Sequence, residues 1–341
     1  MVERIKKKKD SSVEFINTGS TLLNLALSDK GADGGIARGR VVNFVGDGSS
    51  GKTLLALEIC FNCMKRKFIT VIHPKVENVR IIYDNAEGVM DFPLDDMYTG
   101  LKEFVEWEKS GTVQQMTRNF SKAAKNNTKG EMLIYVVDSL DALQPEEAVE
   151  RFDESIEKNK PMDGSYSLEK QKHLSQFFPN ACNMMEGKDI TLIIISQIRS
   201  KIGITFGEKS YRAGGKALDF YTHQVCWLAE YDKMKKQVEG VYVIYGILTR
   251  AKVKRNKTAK PFREAEMSIL FDYGIDDLFS NIDYLFGPKC KTYDYDGHKT
   301  NSKQGLIKHI ESNNLELDTV SKVVEKWRRI QNSVLPNRKP K

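Results

Sequence analysis

The sequence contains no run of roughly 18 apolar residues, the length a membrane-crossing helix needs, so no membrane span is expected. Its charged start, Met1-Val-Glu-Arg-Ile-Lys-Lys-Lys-Lys-Asp10, has no apolar stretch behind it, which excludes a secretory signal peptide. Cysteine is sparse. The five residues, at 60, 63, 182, 226 and 290, are an odd number that suits a reducing cytoplasm better than a disulfide framework. Cys60 and Cys63 form one C-x-x-C, but there is no second pair at zinc-like spacing, so both read as reduced, partly buried thiols. No internal repeat or low-complexity block stands out, and the chain reads as an ordinary globular one.

With 341 residues the chain can hold one large domain and a smaller one. The net charge of +7 and the sequence pI near 8.9 are a mild bias toward polyanionic partners. Lys6 to Lys9 reads either as a solvated arm or as an arm that grips phosphate.

Short apolar, β-branched runs alternate with helical stretches from about 40 to 250: RVVNFV, NVRIIYD (78–84), MLIYVVD (132–138), ITLIIIS (190–196), HQVCWLA (223–229) and VYVIYGIL (241–248). Near-continuous apolar strands separated by helices predict a mostly parallel sheet covered on both faces, an α/β fold. The last two runs leave no room for a helix between them, so that edge is expected to be antiparallel. After Phe271-Asp-Tyr-Gly274 the texture changes, predicting a small α+β part with helices near 304–312 and 317–331. The basic, proline-containing end from Leu335 is expected to be flexible.

The segment Gly46-Asp-Gly-Ser-Ser-Gly-Lys-Thr53 follows a strand and opens a helix at Leu54, the context a phosphate-binding loop requires. Its backbone N–H groups would wrap phosphate oxygens at a helix N-terminus. Lys52 would reach the β- and γ-phosphates of ATP, and the Thr53 hydroxyl would ligate Mg2+. Asp138 ends MLIYVVD and suits the Mg2+-holding acid of such sites, although a strand-end acid also serves as a helix cap. Glu87, in Tyr83-Asp-Asn-Ala-Glu-Gly88, could polarise the attacking water or stand on the surface. Gln197 ends the strand 190–196 and could touch the γ-phosphate. The glycine-rich segment behind it carries Arg199, Lys201, Phe206, Lys209, Tyr211, Arg212, Gly214, Gly215 and Lys216, a composition able to track a DNA backbone or simply to be solvated.

Together these pieces resemble the RecA family of DNA recombinases, bacterial or phage-encoded. The likeness is carried, in family order over about 16–330, by INTGSTLLNLAL (16–27), GDGSSGKT, DNAEGVMD (84–91), VVDSLDAL (136–143), SQIRSKIGITFG (196–207), AGGKALDFY (213–221) and RAKVKRNKTAKPFREAEMSIL (250–270). It implies a short N-terminal arm and strand over 1–25, an ATPase core over 26–274, a small C-terminal α+β domain over 275–331 and a basic tail over 332–341. DNA-binding loops are implied at about 157–172, where Tyr166 and Lys172 are candidate contacts, and at 199–215. Glu87 matches the catalytic glutamate and Gln197 the glutamine that couples ATP to DNA affinity. Asp91 falls in the nucleotide-binding set. Arg255 and Lys257 match basic residues that reach ATP on the adjacent subunit, and Phe220 an aromatic at the subunit interface.

The resemblance implies an ATP- and Mg2+-using DNA-dependent ATPase of recombination and repair, including the response to DNA damage. Its expected partners are single- and double-stranded DNA and further copies of itself in a helical filament. The expected location is the bacterial cytoplasm and nucleoid, or the host cytoplasm for a phage-encoded member. Three departures stand out. Only about 15 residues precede INTGS, so the family's long N-terminal docking helix is expected to be missing or short. Arg255 stands where lysine is typical, and a basic end replaces an acidic tail. The rival readings are a hexameric DNA helicase with the same fold, and a DNA-binding mediator with weak ATPase.

Overall fold

The computed structural model describes residues 13–65, 78–88, 90, 93–159, 166–200, 210–212 and 214–334. Asp91, Lys201, Phe206 and Lys209 lie outside the described residues, as do the basic arm 6–9 and the end 335–341.

The apolar runs pair into one sheet. Its strand order is Gly274–Asp276, Glu264–Leu270, Val241–Asn256, Gln224–Val238, Val41–Gly46, Ile190–Ser200, Glu131–Asp138, Asn78–Asn85 and Glu106–Glu108. From Gln224–Val238 to Glu106–Glu108 every neighbouring pair is parallel. Alternate residues feed two cores: Ile193 and Ile195 pack on the face under helix Lys52–Met64. Leu192 and Ile194 pack on the other face, under helices Val113–Asn126 and Tyr166–Met185. Burial on both faces is why these strands read as nearly continuous apolar runs.

The edge expected to be antiparallel is so, Gln224–Val238 against Val241–Asn256. It is also wider than expected, because Glu264–Leu270 and Gly274–Asp276 extend it. The first of these, Glu-Ala-Glu-Met-Ser-Ile-Leu, mixes exposed glutamates with buried Ala265 and Met267, a half-buried pattern unlike the central strands. At the opposite edge Glu106–Glu108 is exposed throughout and has no apolar signature.

The C-terminal part holds a hairpin, Tyr293–Tyr295 with His298–Thr300, and helices Lys303–Ser312 and Glu316–Ser333. Ile282, Tyr293, Tyr295, Leu306 and Ile310 form its own small core. The last helix is different: its Val323 and Trp327 join the main core. Trp327 Nε1 donates to Asp29 Oδ1 at 3.0 Å. Packing therefore ties the end of the region 275–331 to helix Thr21–Ser28 near the start of the chain.

Glu58, on the second turn of helix Lys52–Met64, accepts a hydrogen bond from the Tyr98 hydroxyl at 3.0 Å. Burial pushes its carboxyl from 4.5 up to about 7, against the help of that hydroxyl. An acid raised on folding binds its proton more tightly in the native state. Its contribution to stability is therefore full below about pH 4.5 and is lost as pH rises toward 7. Glu58→Gln should remove this loss, on the order of 3 kcal/mol. Urea midpoints at pH 5 and pH 8 should then differ less in the variant than in the parent. An unchanged difference would clear Glu58 of any role.

Candidate nucleotide and DNA site

The strand Val41–Gly46 delivers the loop, and Gly51 closes it with φ +86. A Cβ there would be strained and would meet Ile269 Cδ1 at 2.5 Å, so the turn needs glycine. Helix Lys52–Met64 starts at once and no side chain caps it, which leaves its first N–H groups directed at the loop. Lys52 is buried, and its Nζ donates to the carbonyl of Asp47 at 2.6 Å. Burial lowers its pKa, while the carboxylates of Asp138 and Glu87 work to raise it. A buried cation of this kind is short of counter-charge, which a phosphate would supply. Asp47, Gly48 and Ser49 are exposed around the loop, whereas Ser50 and Leu54 are buried.

Asp138 meets this loop from two strands away. Its Oδ2 accepts from Thr53 Oγ1 at 2.8 Å and from the Tyr83 hydroxyl at 2.6 Å. Burial raises the pKa of Asp138, and both hydroxyls act to lower it. Asp84, the other acid near a strand end, faces the opposite way. It is fully buried and accepts from Ser110 N at 2.8 Å, Ser110 Oγ at 2.6 Å and the Tyr135 hydroxyl at 3.0 Å. Its oxygens are spent on holding the chain after Glu106–Glu108.

Glu87 is exposed beside Asp138. Its Oε1 accepts from Ser139 Oγ at 2.6 Å and from Gln197 Nε2 at 3.0 Å. The backbone N–H of Gln197 is in turn anchored on Asp141 Oδ2 at 2.7 Å. The structure thus gathers Lys52, Thr53, Asp138, Glu87 and Gln197 at the carboxyl ends of four adjacent strands, the usual place for a ligand in such sheets.

The described ends of the two segments read as DNA loops meet at one helix pair. Helix Tyr166–Met185 carries exposed Lys172, and its Gln171 lies against Gly215 at the start of helix Gly215–Tyr221. Gly214 precedes that start with φ +104, where a Cβ would strike Leu218 at 2.6 Å. Lys216 is exposed. Arg212 is directed inward: its guanidinium bonds Asn43 Oδ1 and the Asp219 carboxylate, and only 8% of its side chain is exposed. Of the arginines and lysines in this segment, Arg212 is therefore committed to the protein in this state. The side chains of Tyr166, Arg199 and Tyr211 lie outside the described residues.

Arg255 and Lys257 sit at the other end of the sheet. Arg255 pairs with Val225, and Val225 with Asn43, which is three residues and roughly 10 Å before Gly46 along the strand. The guanidinium of Arg255 bonds the carbonyl of Asp219, and Lys257 Nζ bonds the carbonyl of Phe220 at 2.8 Å. Both cations therefore cap the carbonyl end of helix Gly215–Tyr221, where positive charge is favoured. Phe220 is 67% exposed beside them.

One part of the site escaped the sequence reading. A cavity of about 530 Å3 opens beside Ser49 to Leu54, walled by Ile244, Ile247, Ile269 and Phe271. Its signal was an aromatic, Phe271, directly after the missed strand Glu264–Leu270. Among the described residues no group of three or more His, Cys, Asp or Glu could hold a metal, and Cys60 and Cys63 are buried in the helix behind the loop.

The family model for the RecA N-terminal domain matches residues 1–91 and 120–276. The chain belongs to the RecA family. Protein RecA of Synechocystis sp. is 30% identical over 335 residues, covering 95% of this chain and 84% of that protein. Protein RecA of Nitratiruptor sp. is 30% identical over 291 residues, covering 85% and 75%. Protein RecA of Colwellia psychrerythraea is 32% identical over 266 residues, covering 78% and 68%. Membership places this RecA-family chain in ATP-dependent recombination and does not favour the helicase or mediator readings. No helix of the described residues is long and apolar enough to cross a membrane.

Proposed function

We propose that this RecA-family chain is a DNA-dependent ATPase that polymerises on single-stranded DNA and exchanges strands with homologous duplex DNA. The observation that carries this reading is the bond from Gln197 Nε2 to Glu87 Oε1. It joins the group suited to activating water to the residue from which the second DNA segment departs. The loop 46–53 and the adjoining cavity would hold ATP, with the base against Ile269 and Phe271.

Thr53 and Asp138 would hold Mg2+. The pair fits, because both are oxygen donors already 2.8 Å apart, and a phosphate-bound Mg2+ needs only one or two protein oxygens. The bound ion supplies positive charge to the reacting phosphates. Glu87 accepts the proton of the attacking water. Ser139 and Gln197 hold its carboxylate in place until a γ-phosphate draws the Gln197 amide away. Lys172 and Lys216, with Lys201 and Lys209, offer charge to the DNA backbone.

Gln197→Ala tests the coupling. The variant should bind ATP normally but lose the difference in single-stranded DNA affinity between its ATP and ADP states, typically ~1–3 kcal/mol. Fluorescence anisotropy of a labelled oligonucleotide measures both states. A wild-type ratio in the variant would place the switch elsewhere.

A further inference from the structure

Tyr83 and Tyr135 make reciprocal bonds between neighbouring strands. Tyr83, on Asn78–Asn85, donates to Asp138 on Glu131–Asp138, while Tyr135 donates back to Asp84. The register pairs Tyr83 with Val136 and Asn85 with Asp138, so the Tyr83 hydroxyl reaches two residues along the neighbouring strand on their shared face. The ring is fully buried and is packed by Trp107, with centroids 5.3 Å apart. Trp107 is itself fixed by Nε1 donating to the carbonyl of Lys102 at 2.8 Å. The hydroxyl thus has one place to go.

We infer that Tyr83 is a positioning residue for Mg2+: its hydroxyl orients the Asp138 carboxylate so that Thr53 and Asp138 present one preformed oxygen site. This rests on the nucleotide-site reading above. Both O–H donors converge on Oδ2, which fixes the rotation of the carboxylate about its Cβ–Cγ bond and would leave Oδ1 free to help hold a bound Mg2+. Without the phenol, only Thr53 would set that angle, and Thr53 must also serve the ion. Partners of metal-holding groups of this kind typically change metal affinity ~10–100-fold when removed. Tyr135 performs the same type of bond, equally buried, on a carboxylate that faces away from the loop. It therefore serves as the internal control.

The test is binding of a fluorescent ADP analogue to the full chain, titrated with MgCl2 and repeated in EDTA, with no turnover involved. Tyr83→Phe should raise the half-saturating Mg2+ concentration about 10-fold while leaving the metal-free nucleotide affinity unchanged. Tyr135→Phe should lower the thermal midpoint without moving the Mg2+ curve. A Tyr83→Phe curve that superimposes on wild type overturns the inference. So does an equal shift in Tyr135→Phe, since the effect would then be general loosening. If wild type itself binds no nucleotide, or if Lys52→Ala binds as well as wild type, it is the nucleotide-site reading that fails.

Discussion

Glu87→Gln should bind ATP and Mg2+ with near-normal affinity and lose hydrolysis by roughly 10²–10⁴-fold. The amide has nearly the shape of the carboxylate and can still meet Ser139 and Gln197, which contact Oε1 at 2.6 and 3.0 Å. It cannot accept the proton of water. Lys52→Ala should behave in the opposite way and weaken nucleotide binding itself, because the buried counter-charge of the loop is gone. Equilibrium binding and single-turnover hydrolysis separate the two. Hydrolysis near the wild-type rate in Glu87→Gln would remove this residue from the mechanism.

The other large effect concerns the basic pair. Arg255 and Lys257 lie at the far end of the sheet from their own phosphate loop, against the carbonyl end of helix Gly215–Tyr221. They are placed away from that loop, which suits the proposal that they serve the phosphates of ATP held by a neighbouring subunit. A cation placed across an interface in this way is typically worth 10³–10⁵ in rate. The double variant Arg255→Ala, Lys257→Ala should bind ATP and lose DNA-stimulated hydrolysis by a factor of that order. Mixing it with excess Lys52→Ala protein should restore part of the activity, because some interfaces then pair an intact loop with intact cations. Co-assembly on DNA without any recovery would contradict action in trans. The capping bonds add a physical link, since the same helix begins at Gly215, the last residue of the segment 199–215 proposed to bind DNA.

The sheet was legible in the sequence because its central strands are buried on both faces and are mostly apolar, with residues such as Phe44, Ile134 and Ile194, even though Asn43 and Thr191 are buried among them. The edges were less so. Glu264–Leu270 exposes Glu264 and Glu266 between its buried Ala265 and Met267, and Glu106–Glu108 buries nothing, so neither has the apolar run that marks a central strand. In the site, Lys52, Thr53 and Asp138 were legible because loop, strand and spacing constrain one another. Tyr83 was hidden by its setting: within Val-Arg-Ile-Ile-Tyr it reads as one more β-forming apolar residue, and only the strand register brings its hydroxyl to Asp138. Arg212 was misleading for the same reason. A basic residue in a glycine-rich segment looks solvent-directed, yet pairing of Ser210–Arg212 with Ile198–Ser200 turns its guanidinium toward Asn43 and Asp219.

Strand exchange is the activity to which all these parts are assigned, and one measurement reaches it directly. The full chain would be incubated with a labelled single strand, a duplex, Mg2+ and either ATP or ADP, and deproteinised joint molecules would be counted on a gel. Joint molecules should form with ATP when the duplex is homologous, and should be absent with a heterologous duplex or with ADP. ATP-driven separation of a duplex regardless of homology, with no joint molecules, would contradict a recombinase and restore the helicase.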